Sequence, residues 1–112
     1  MENSKETVAT LFASLHPLRT QDGCYYSFKR ICESIENLLR EQHDQETDPG
    51  TKTHYLHAFS ALTHTIGKEV WFIKAAQDKM RKKGAARIRA TEYEQAVEKA
   101  YWQVKMDIAS FL

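Results

Sequence analysis

The chain has two cysteines, two prolines and four glycines among its 112 residues, and each scarcity excludes something. Cys24 and Cys32 stand eight positions apart on one expected helix, a rise of ~12 Å, which is too far for a mutual disulfide. Two reduced thiols are the simplest reading, and they place the chain in the cytoplasm. No apolar run approaches the ~18 residues that a membrane-spanning helix needs. The opening Met1, Glu2, Asn3, Ser4, Lys5 and Glu6 lack a charged-then-apolar leader. There is no glycine-rich phosphate loop, no nucleophile elbow and no carboxylate pair spaced for acid–base work. The expectation is a non-enzyme that carries no cofactor and no metal.

What is present is helical patterning. An apolar content of 42% with 28% charge suits a globular chain rather than a disordered one. Its length suits one helical domain over residues 1–112. Val8, Leu11, Phe12 and Leu15 follow helical spacing after Ser4, a candidate N-cap, and Pro17 stops that helix. A second helix runs from about Gly23 to His43, capped by Asp22, and buries Tyr25, Phe28, Ile31, Cys32, Ile35, Leu38 and Leu39. Asp48-Pro49 reads as cap plus first-turn proline for a long third helix, and Gly84 closes it. Thr91 and Glu94 have capping-box spacing ahead of Val97, Ala100, Val104, Ile108 and Phe111. No alternating β-branched run competes. The expected fold is all-α: a four-helix, mostly up-and-down antiparallel bundle with one long third helix, ~50 Å if unbroken, protruding or bending near Gly67.

The net charge of +1 hides a segregation. Six acids lie between Glu33 and Asp48 against the single base Arg40, and six bases lie between Lys79 and Arg89 with no acid. In an up-and-down bundle Lys79, Arg81, Lys82, Lys83, Arg87 and Arg89 gather at one end with Arg19, Lys29 and Arg30, and the acidic turn lies at the other. Such a pole can attract phosphates, nucleic acid or an acidic protein patch. Helix-end electrostatics account for part of it without any ligand. Few aromatics interrupt the bases, so a single-strand stacking surface is not indicated.

The third helix also carries a second stripe. Phe59, Leu62, Ile66, Val70, Ile73 and Met80 form its apolar side, while His57, His64 and Trp71 fall roughly opposite at ~100° per residue. A helix that only covers a core keeps its back polar. Trp102 and Met106 fall off the buried stripe of the last helix, with Trp102 at a height similar to Trp71. These five residues are the candidate partner-binding surface, since aromatics and methionine are enriched at interfaces. The alternatives are that the tryptophans complete the core, or that the two-sided helix packs against its own copy about a two-fold axis. His54 and His57 are one turn apart, the spacing of a metal-binding pair, but no further ligand completes the set.

Leu62-Thr63-His64-Thr65-Ile66-Gly67-Lys68 resembles the active segment of histidine-phosphotransfer domains. Those are four-helix bundles of comparable length with a surface histidine followed by a lysine and a glycine. Here the glycine and lysine exchange places, which rotates the cation by ~100°. The resemblance covers this segment alone and implies phosphorylation of His64. Three readings therefore stand. The chain is an interaction module (adaptor, inhibitor or accessory regulator), a kind of compact helical chain common among mobile-element inhibitors of host systems such as anti-CRISPR proteins. Otherwise it binds nucleic acid or nucleoprotein through the basic pole, or it transfers phosphate through His64.

Overall fold

The computed structural model describes residues 4–84 and 90–112, with side chains from Val8 onward. Helix α1 spans Ser4–Ala13, and a 3₁₀ turn over Pro17–Thr20 leads towards α2, Tyr25–Gln45. The long third helix comprises α3, Pro49–Thr65, a π-helical turn over Ile66–Val70, and α4, Trp71–Lys82. Helix α5, Thr91–Asp107, ends in a 3₁₀ turn at Ala109–Phe111. No strand is present among the described residues. The result is an all-α, up-and-down bundle. Its longest dimension of 53 Å is close to the ~50 Å that Pro49 to Lys82 span at 1.5 Å per residue.

Helical spacing makes the core. Val8, Phe12 and Leu15 join Phe28, Cys32, Ile35 and Leu39 of α2 and Leu62, Val70 and Ile73 of the third helix in one buried cluster. Val97, Ala100, Val104 and Ile108 close the fourth side. All are buried, and one stripe per helix suffices for this. Tyr101 is buried as well; it stacks on Phe12 at 5.1 Å and was not part of the stripe expected for α5.

The helix ends follow local chemistry with two corrections. Asp48 caps α3 as expected, its carboxylate accepting from the Thr51 amide and hydroxyl, both at 2.8 Å. Gly84 ends α4 in the left-handed conformation, φ 69°, where glycine carries no steric penalty. Helix α2, however, begins with Cys24 rather than Asp22 at its cap position. The Cys24 amide donates to the Tyr93 hydroxyl at 2.9 Å, so a long-range partner does the work of a local cap. At α5 the cap position falls on Ala90, with no side-chain cap, and Thr91 is already helical; the capping box is not formed.

Gly67, near which the long third helix was expected to bend if it did not protrude, lies in the π turn. One extra residue in that turn lets both Glu69 and Val70 face inward while α4 continues along the bundle. None of the described helices is long and apolar enough to cross a membrane.

Candidate functional site

Helix α5 runs antiparallel to the long third helix, packing on both α3 and α4, and the outer seam between them is a groove. Its lower stretch is a concavity of about 400 Å³ between His54 and His57 on one side and Gln103, Met106 and Asp107 on the other. The middle stretch, about 460 Å³, lies among His64, Thr65, Lys68, Glu69, Gln103 and Asp107. The upper stretch, about 490 Å³, is flanked by Phe72, Ala75, Lys79, Glu92, Ala96 and Lys99.

Asp107 ties the lower half together. One of its oxygens accepts a short hydrogen bond from the buried Thr65 hydroxyl, and the other accepts from the Gln103 amide at 3.1 Å. Thr65 belongs to α3 and Asp107 to α5, so the pair fixes the two helices in register at the floor of the groove.

Large apolar side chains stand exposed beside it. Trp71 retains 50% of its surface, Phe72 48%, Trp102 47% and Met106 71%. His57 and His64 are exposed as well. The tryptophans are thus surface residues rather than core. They make no ring contact with each other, and each holds its own cations. Lys74 sits 5.3 Å from the Trp71 ring, while Lys105 at 4.8 Å and Arg19 at 5.6 Å flank Trp102. The Trp102 indole N–H donates to Glu98 at 3.1 Å. Lys74 also feels Tyr26 and Tyr25 of α2, so Trp71 leans to the α2 side. Trp102 leans the other way, towards Arg19. The groove passes between them, and His57 and Met106 meet in its lower stretch.

The basic residues are divided. Lys79 pairs with Glu92 at 3.2 Å. Arg81 and Lys82 are exposed in the last turn of α4 and Lys83 at its C-cap, where the macrodipole favours cations. Arg81 and Lys82 add to the Lys74 hydrogen bond that holds the Asp78 carboxyl below its usual range. Arg87 and Arg89 lie outside the described residues. Arg19 does not join an open pole. Its guanidinium grips Glu98 at 2.7 and 2.8 Å and lies 4.6 Å from the Tyr101 ring, and the Glu98 hydrogen bond leads the causes that raise its pKa. Lys29 has Glu33 at 4.0 Å.

The remaining candidates are placed as follows. The His54 ring packs 5.1 Å from Phe111. Among the described residues no three His, Cys, Asp or Glu side chains converge in a way that could hold a metal ion. His64 and Lys68 share the middle concavity, but Glu69 and Asp107 share it too, and their carboxylates oppose a phosphate there. Cys32 is buried, and desolvation, with Asp107 as the next cause, pushes its thiol well above the ordinary range. Such a thiol is a packing residue, not a nucleophile.

Sequence reasoning missed Phe72, the alanine-lined groove above it, and the Thr65–Asp107 tie. The first had a signal, since Phe72 lies off the Phe59–Ile73 stripe by the ~100° step. Thr65 and Asp107 are far apart in the chain, and nothing local links them. Comparison with protein-family models, curated proteins and solved structures finds no match for this chain.

Proposed function

We propose that this chain is a non-enzymatic protein-interaction module, an adaptor, inhibitor or accessory regulator that works by occupying a partner's surface. The observation that carries this reading is the exposure of Trp71, Phe72, Trp102 and Met106 on the neighbouring helices α4 and α5. Single exposed apolar residues need no explanation, but here Phe72 and Met106 line the groove while Trp71 and Trp102 stand on its two opposite flanks, and large apolar residues concentrated about one groove mark an interaction site. Trp, Phe and Met are also the residue types enriched at interface cores. His57 and His64 extend the face along α3. A cytoplasmic setting suits its two buried, unbridged thiols.

Nucleic-acid or nucleoprotein binding is the second reading. It is favoured by Arg81, Lys82 and Lys83, exposed together at one helix end, with Arg87 and Arg89 following in sequence. It predicts binding that falls steeply with salt.

Affinity capture from the native lysate, with and without nuclease, separates the two. The interaction reading predicts a stoichiometric protein that survives nuclease and is lost when Trp71 and Trp102 are both replaced by alanine. Nucleic acid alone, lost on digestion, refutes it. So does a partner that the doubly substituted chain retains in full.

A further inference from the structure

We propose that the upper stretch of the α4–α5 groove is an anchor pocket for an amphipathic helix of a protein partner, apolar on its docking face and acidic along its flanks. This rests on the interaction reading and adds to it the pocket and the charge of the occupant.

The upper stretch of the groove is lined largely by apolar side chains. Ala75 and Ala76 of α4 face Ala96 of α5 across a concavity of about 490 Å³, and Phe72, half-exposed, stands beside them. Small residues at facing positions keep the seam between two helices open to side chains from outside. A straight trough between antiparallel helices suits a third helix, whose side-chain ridges lie in the groove and insert a bulky apolar residue.

The rim decides the charge. Lys79 and Lys99 flank the pocket. Glu92, the acid on the rim, is engaged by Lys79 at 3.2 Å. Among the described residues Lys99 has no acid within ion-pair distance, so its charge is open to a partner. Lys82 and Lys83 stand three and four positions beyond Lys79, so the cationic rim continues past the pocket on the same helix face. An apolar trough edged with lysine complements carboxylates that border an apolar stripe. A second copy docked by the same face would bring two lysine-edged rims together, which like-charge repulsion disfavours. Nucleic acid would gain phosphate contacts but would leave the alanine floor and Phe72 without an apolar partner.

The test uses the full chain labelled for amide NMR. Two synthetic amphipathic helical peptides share a leucine and tryptophan face; one carries glutamate flanks and the other lysine flanks. The glutamate peptide is expected to shift the amides of Ala75, Ala76 and Ala96 saturably, with affinity falling as salt rises. Ala75→Glu should weaken it by on the order of tenfold or more, through like-charge repulsion at the rim. Ala75 is exposed, so the unfolding midpoint of that variant should match the wild type.

Absence of saturable shifts at those alanines, or equal binding of the lysine peptide, overturns the proposal. A mixed oligonucleotide that shifts the same amides more strongly than the glutamate peptide overturns it in favour of nucleic acid. Shifts there that grow with protein concentration alone overturn it in favour of a second copy. Capture of the native partner separates this inference from the reading beneath it. Loss with the double tryptophan variant but full retention by Ala75→Glu refutes the pocket alone. Retention by both variants refutes the interaction face itself.

Discussion

Replacing Thr65 by valine should loosen the seam on which the groove depends. The Thr65 side chain is buried, and valine reproduces its shape without the hydroxyl. That hydroxyl has one proton, and the Asp107 carboxylate on α5 is its closest acceptor; the fallback acceptor, the Ala61 carbonyl, lies at 3.1 Å and also serves its own helix. Hydrogen bonds to charged groups contribute about 1.5–3 kcal/mol. Asp107 is half-buried and keeps the Gln103 amide, so water and Gln103 offset part of the loss. The net expectation is a destabilisation of about 1–2 kcal/mol, or a melting temperature lower by roughly 4–8 °C for a chain of this length. The assay is urea unfolding of a double-mutant cycle with Asp107→Ala. A coupling of about 1 kcal/mol is expected between the two sites. A coupling within about 0.3 kcal/mol of zero, the usual limit of additivity, would show that the pair does not act as a tie.

Gly67 lies in the π turn with open space where a Cβ would stand and without a left-handed φ. Gly67→Ala should therefore raise stability by about 0.5–1 kcal/mol, read from the urea midpoint; a loss would mean that the turn requires glycine. The Asp48 carboxyl is held below its ordinary range first by the Thr51 amide and then by the Thr51 hydroxyl. Because the folded pKa is the lower one, the stabilisation is present above the unfolded value of 3.8 and disappears as pH falls through the folded one. Asp48→Ala should consequently unfold more easily than wild type near neutrality, with the gap closing in strong acid; a gap independent of pH contradicts the capping account. Cys32, fully buried with its thiol pushed up by desolvation, should react with a thiol reagent only as fast as the chain opens globally. Rapid labelling under native conditions would contradict its placement.

Much of the fold was legible because it follows from helical periodicity and punctuation. Val97, Val104 and Ile108 recur at the spacing that buries one stripe, and Asp48-Pro49 and Gly84 act where their chemistry predicts. Local rules failed where the deciding partner is remote. Cys24 takes the cap position of α2 because the Tyr93 hydroxyl reaches it from the last helix, a pairing that no local pattern encodes. Arg19 falls out of the basic pole for the same reason, since Glu98 and Tyr101 claim it from α5. At the candidate site the sequence pointed to His57, His64, Trp71, Trp102 and Met106 through their angular positions. Side-chain exposure depends on where the neighbouring helices stop, so Phe72 and the alanine groove emerged only from the packing of α4 on α5.

The central claim is that the face built by Trp71, Phe72, Trp102 and Met106 is covered by a protein partner. Hydroxyl-radical footprinting tests it most directly, comparing the purified chain with the assembly isolated intact through a tag from its native source. The account predicts strong protection of those four side chains in the assembly, while Leu112, exposed at the chain's end, keeps its free-state reactivity. Full reactivity of Trp71, Phe72, Trp102 and Met106 in the assembly would contradict the account and place the working surface elsewhere.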